Sequence, residues 1–151
     1  MEYTVAEGVT VQDAFQAQNV LRKRKTFHIT ELKEELDAFL TAVETAGAHP
    51  SGPLVYSLNN VPEDGNMDIE FFLPVEEDYI EIEGMRFSSY FEIDNIILTA
   101  IDRDYEELTK EAYARLLWTL EQNDRELNTP FYHVLPDDGA EKVIILVGYA
   151  Y

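Results

Sequence analysis

The strongest periodicity in the chain runs from Asp104 to Asn123, DYEELTKEAYARLLWTLEQN. Tyr105, Leu108, Ala112, Leu116 and Leu120 recur at helical spacing, and Tyr113 and Leu117 widen the stripe. That pattern predicts an amphipathic helix. Asp104 is a suitable N-cap, and Glu107 occupies the capping-box position. An earlier stretch, Thr30 to Gly47, repeats the design: a threonine cap, then Leu32, Leu36, Phe39, Leu40 and Val43 on one face, then a terminal glycine.

The segments after the two helices are also alike. Pro53 opens PLVYSL and Pro130 opens PFYHVL. Each is succeeded by a polar turn containing glycine (NNVPEDGN, PDDGAE) and then by an apolar run (MDIEFFLPV, KVIILVGYAY). The matched order predicts one unit used twice: strand, helix, strand, turn, strand. The alternative is an ordinary α+β domain with two hairpins.

The remaining stretches fall into place around this repeat. Met1 to Gly8 reads as a lead-in and Phe15 to Ile29 as the first strand of unit one, residues 15–75. Ala48 to Gly52 is a connector, Leu54 to Leu58 a short strand, and Met67 to Leu73 a strand that Pro74 stops. The acidic run Glu76 to Glu83 links the units and alternates as an edge strand would. Unit two, residues 85–151, opens on strand material broken around Asp94 and Asn95. Phe131 to Leu135 and Lys142 to Tyr149 form its hairpin around Pro136, Asp137, Asp138 and Gly139. The expected fold class is α+β, a single domain over residues 1–151 whose two helices lie on one face of a curved, antiparallel-rich sheet.

Composition narrows the function. Hydrophobic residues make up 46% of the 151, enough for a real core. No apolar run is long enough for a spanning helix, and MEYTVAEGVTVQ lacks a basic-then-apolar leader pattern. The absence of cysteine excludes disulfides and thiolate metal sites and fits a reducing cytoplasm. The net charge is −19, and it is uneven: Met1 to Thr30 carries +1 and Glu31 to Tyr151 carries −20. Such a chain repels nucleic acid and anionic membranes and attracts cations or a basic protein. The one basic cluster, Arg22 to Lys25, lies on a predicted strand, so its side chains point alternately to opposite faces and do not form one patch.

Catalytic motifs are lacking. His28, His49 and His133 have no helical metal-pair spacing and read as structural or solvent-facing. No glycine-rich phosphate loop is present, Ser88 and Ser89 have no nucleophile-elbow context, and Glu76 to Asp78 lacks the pattern of a calcium loop. No enzyme activity, cofactor or metal ion is expected.

Three stretches carry a family likeness. DYEELTKEAYARLLW (Asp104 to Trp118) resembles the helix motif of the gyrase-inhibitor-like (GyrI-like) effector-binding domains. SGPLVY (Ser51 to Tyr56) and MDIEFFLPV (Met67 to Val75) are similar to that family's Gly-Pro strand entry and its acidic-then-apolar strand. The resemblance implies a duplicated strand–helix–strand–strand fold that binds small amphipathic or cationic organic molecules in a cleft between its halves. Many such domains follow a DNA-binding helix-turn-helix; this chain reads as a stand-alone member. The family's P-x-E-x-Y strand is altered here. Tyr132 takes the place of the glutamate and Val134 that of the tyrosine. Relatives that hydrolyse reactive rings rely on that glutamate, so hydrolysis is not expected.

Nine tyrosines, eight phenylalanines and one tryptophan are many for this length. Tyr56, Tyr90, Tyr105, Trp118 and Tyr132 fall on elements that would flank the cleft, and aromatic faces hold organic cations. Glu70 is the candidate replacement for the missing carboxylate, and Trp118, off the main stripe, suits a pocket or an interface. Core packing is the competing role for each aromatic. Two functions are thus expected in competition. One is a domain for a small organic ligand. The other is an acidic domain for a basic protein partner, such as an immunity or adaptor protein of a bacterial toxin or secretion operon.

Overall fold

The computed structural model describes residues 8–60, 64–101, 105–135 and 143–150. Their elements, in order, are β1 (Thr10–His28), α1 (Leu32–Thr45), β2 (Val55–Leu58), β3 (Asn66–Pro74), β4 (Arg86–Ile101), α2 (Tyr105–Gln122), β5 (Glu126–Leu127), β6 (Phe131–Val134) and β7 (Val143–Ala150). The fold is α+β, and strand–helix–strand–strand occurs twice. Two compact units divide the chain: Gln16–Phe91, and the described residues of Met1–Phe15 and Glu92–Tyr151. The boundaries therefore fall inside β1 and inside β4.

Within each unit the last strand is central, and all pairings are antiparallel. In the first, β3 lies between β1 and β2, with Leu21 opposite Leu73 and Tyr56 opposite Phe71. In the second, β7 lies between β4 and β6, with Ile97 opposite Val147 and His133 opposite Ile145. The registers correspond residue by residue: Val55–Phe72 matches Tyr132–Leu146. Even the bridge of Pro50 to Val75 has its counterpart in Leu127 opposite Tyr149.

The backbone repeats its irregular points as well. Asn19 and Asn95, at equivalent places in the two long strands, both take left-handed angles, φ 55°. Asparagine tolerates that region better than most residues. The break expected at Asp94 and Asn95 is this one-residue kink, and β4 continues through it. Each helix ends alike. Gly47 (φ 82°) follows α1 and Asp124 (φ 52°) follows α2. The next amide turns back in each case, Ala48 N–H to Val43 O at 3.2 Å and Arg125 N–H to Leu120 O at 2.9 Å. These bonds satisfy carbonyls that a helix end leaves orphaned.

One steric contact is solved with opposite residues in the two copies. A Cβ on Gly52 would lie 3.3 Å from Pro74 Cγ. At the equivalent pair the glycine is the central-strand residue instead, and a Cβ on Gly148 would lie 2.8 Å from Thr129 Cγ2 and 2.9 Å from Ile93 Cγ2. Only one side of this contact has room for a side chain.

Each helix covers the same face of its own strands. In the first unit Phe39 of α1 stacks on Phe71 at 5.3 Å, and Phe71 contacts Phe27 and Tyr56. In the second, Ala112, Leu116 and Leu120 of α2 are buried with Ile97, Ile101, Val143, Ile145 and Val147. Burying a side chain of this size contributes about 1.5–3 kcal/mol.

Three expectations are corrected. Thr30 does not cap α1; a short 3-10 turn, Ile29–Glu31, precedes it, and the His28 ring accepts from the Thr30 amide. The first strand begins earlier than Phe15, at Thr10. The acidic run Glu76 to Glu83 contains no strand. Its carboxylates are mostly solvated, Glu77 is taken by His49, and a turn closes from Met85 N–H to Ile82 O. The Asp104 cap, the Pro136–Gly139 turn and the Tyr105 side chain lie outside the described residues.

Candidate functional site

Alternation along β2 and β6 decides which rings face a helix. Tyr56, opposite Phe71, faces α1; His133, at the equivalent register position, faces α2. Both are desolvated, with opposite consequences for charge. Burial pushes the Tyr56 phenol up to about 12. Burial pushes the His133 imidazole down to about 4. Loss of solvation disfavours the charged form of each, so both tips are neutral near pH 7.

Around His133 the second unit builds a small aromatic cluster. Tyr113 of α2 stacks on Phe131 with ring centroids 3.9 Å apart and planes 7° from parallel. Its hydroxyl is hydrogen-bonded to His133 Nε2 at 2.5 Å. A histidine with this pKa is a poor base at neutral pH. The pair offers neutral hydrogen-bonding capacity inside an apolar wall.

The opposite face of the first unit holds Glu70, and there the structure supplies its own cation. Arg22 approaches Glu70 through two nitrogens, Nε at 3.1 Å and Nη2 at 3.3 Å. Its Nη1 reaches Ser88 Oγ at 3.4 Å. The guanidinium lies 4.8 Å from the Phe72 ring centroid and 5.7 Å from that of Phe91. Arg86 adds a longer, exposed contact to Glu70 at 3.4 Å. A bidentate pair against aromatic rings is the geometry in which arginine binds a carboxylate best. The other bases of the cluster divide as strand alternation requires: Arg24 pairs with Asp68 and Lys25 with Glu35.

The six residues expected to bind ligand divide between the units, Tyr56, Glu70 and Tyr90 in the first and Tyr105, Trp118 and Tyr132 in the second. Tyr56 and Glu70 belong to one unit but face opposite sides of its strands. Tyr90 and Trp118 are exposed, and Tyr132 is buried opposite Leu146. Tyr105 opens α2. Sequence reasoning missed Tyr113 as the partner of both His133 and Phe131, and Arg22 as the partner of Glu70. The first was legible in outline, since PFYHV alternates as a strand and puts Phe131 and His133 on one side.

A family model described as a domain of unknown function, DUF5085, matches residues 16–147, most of both units.

The chain belongs to the DUF5085 family.

No curated protein matches this DUF5085 chain. Among solved structures it is similar to the EcmrR C-terminal domain, at 18% identity and a TM-score of 0.75, covering 99% of each chain. It is also similar to EcmrR in an EcmrR–DNA complex within EcmrR-RPo, at 17% identity and a TM-score of 0.74 over 95% of this chain. It spans 58% of that EcmrR chain. A hydrolase from Listeria innocua is similar at 11% identity with a TM-score of 0.66, over 98% of this chain and 94% of the other. At these identities the likeness shows a shared fold. Among the described residues no histidine and carboxylate group is arranged to hold a metal ion, and no helix is long and apolar enough to cross a membrane.

Proposed function

We propose that this DUF5085 chain is a non-catalytic domain that binds a small amphipathic or cationic organic molecule. The observation that supports this reading is the pair Tyr56 and His133. At one register position in both units, a desolvated ring presents a neutral polar tip among aromatic neighbours. Small-molecule sites are lined in that way, by apolar and aromatic surface with a few polar groups. The likeness to gyrase-inhibitor-like domains and the fold shared with the EcmrR C-terminal domain point the same way. Tyr90, Tyr105, Trp118 and Tyr132 are the further aromatic contacts of this reading, and Glu70 serves it less, because Arg22 already matches its charge. EcmrR is seen on DNA, but a net charge of −19 opposes direct contact with nucleic acid here.

Calorimetric titration with quaternary ammonium and phosphonium compounds tests the proposal. Saturable one-to-one binding with a negative heat-capacity change is expected, since that change marks burial of apolar surface. Affinity should be micromolar or weaker, on the order of 8 kcal/mol or less. Absence of saturable heat with every such compound would overturn it. Hydrolysis is left out of the reading because Tyr132 stands where the gyrase-inhibitor-like domains that the chain resembles carry a glutamate. Ring-opening turnover that survives repurification and is lost in Tyr132→Phe would contradict that part.

A second reading, a basic protein partner, draws on a separate observation. Leu117, Trp118 and Leu127 are each more than two-fifths exposed in a chain of strong negative charge. Exposed apolar side chains rimmed by acids suit such a partner.

A further inference from the structure

The first unit contains a groove that none of the expected ligand residues lines. Its walls are Leu40, Val43 and Glu44 from α1, Ala48 and Pro50 from the connector, and Leu73 from β3. Its volume is about 350 Å³, within the range of small-molecule sites. Five of these six side chains are apolar. Val43, Ala48 and Leu73 are buried, and Leu40 is 36% exposed at the rim.

The groove is built in advance. The connector is fixed to the end of β3 by two bonds, Ser51 N–H to Pro74 O at 2.9 Å and Glu76 N–H to His49 O at 2.8 Å, which together make the Pro50–Val75 bridge. His49 is held in addition by Glu77, whose carboxylate accepts from its backbone amide at 3.0 Å and contacts its ring. A wall fixed in this way loses little freedom when a ligand enters, which is the main cost that pre-organisation removes.

The electrostatics of the groove have one sign. Glu44 is its only charged lining residue, and among the described residues it makes no ion pair. It stands in the last turn of α1, where no base is present. A helix C-terminus carries a partial negative charge, which a lysine or arginine there would offset; Glu44 adds to it instead. Glu70, by contrast, is occupied by Arg22. The carboxylate open to an incoming cation is therefore Glu44.

We propose that this groove binds a hydrophobic monocation, with its apolar body against Leu40, Val43 and Leu73 and its charge beside Glu44. The inference rests on the reading of the chain as a small-molecule-binding domain and places the site within one unit. Its test uses the full chain, benzyltrimethylammonium, and the neutral isostere neopentylbenzene. The native protein should bind both, the cation at least tenfold more tightly. Glu44→Gln should remove that preference while leaving the isostere unchanged. Glu121→Gln, at the equivalent position in the second unit, should change neither. Leu40→Trp, which fills the groove from its exposed rim, should weaken both ligands more than tenfold without lowering the melting temperature. Cation binding that persists in Glu44→Gln and Leu40→Trp would overturn the groove and leave the broader reading in place. Absence of binding by the native chain to either probe would overturn the groove and count against the broader reading as well.

Discussion

Protonation of His133 should destabilise the second unit from within, and the size of the effect is set by its burial. The ring is 5% exposed, and its folded pKa is about 4 against an unfolded value of about 6.5. The folded pKa lies below the unfolded one, so between these values the unfolded chain binds more protons. Stability from this residue is therefore full above pH 6.5 and is lost as pH falls, with little further change below pH 4. The loss amounts to about 1.4 kcal/mol by pH 5.5 and about 3 kcal/mol by pH 4. The many carboxylates titrate over part of this range, so the informative quantity is the difference between the native chain and His133→Gln. Urea unfolding at intervals from pH 7 to pH 4 supplies it. The native chain should lose stability relative to the variant by about 3 kcal/mol across the series, most of it above pH 4.5. Parallel pH dependence of the two proteins would refute the argument, because it would mean that His133 is not desolvated. On protonation Nε2 becomes a donor and the Tyr113 hydroxyl its acceptor, so tyrosine absorbance should track the same curve.

Two further substitutions test the packing. Gly148→Ala should cost about 1–3 kcal/mol by overpacking against Thr129 and Ile93, and Thr129→Gly in the same chain should recover part of it, with denaturant midpoints as the measurement. Arg22→Met should destabilise by about 1–3 kcal/mol because it leaves the buried Glu70 with only its exposed contact to Arg86, and the double change Arg22→Met with Glu70→Leu should be milder than the single one, as a double-mutant cycle would show.

The repeat was legible because each copy is written in local signals. Helical periodicity, a helix stop and a Pro-led strand recur in the same order, and these depend on neighbours in sequence. The left-handed kink at Asn95 was anticipated as a break and that at Asn19 was not: asparagine is permissive, but nothing local requires a kink where a strand continues on both sides. The α1 start was misread at Thr30 because the hydroxyl that would cap the helix lies against the His28 ring instead, at 2.8 Å. The acidic run misled by its alternation, which matches a strand only if another strand pairs with it. The site was the least legible part. Glu70 looked available because the arginine that neutralises it is 48 residues away and joins it only through the β1–β3 register. Glu44 looked like one acid among thirty, and its place at the rim of a groove depends on how the connector folds back onto β3.

The central claim, that an apolar groove and not the overall charge binds organic cations, is tested most directly by a salt series. Affinity of the native chain for benzyltrimethylammonium is measured from low salt to 0.5 M, where the Debye length is about 4–5 Å. Binding carried by the groove should fall no further than to the affinity of the neutral isostere, because salt screens the contact with the exposed Glu44 and leaves the apolar burial in place. Collapse of binding to an undetectable level at 0.5 M would mean that the acidic surface alone attracts the cation, and it would contradict the account.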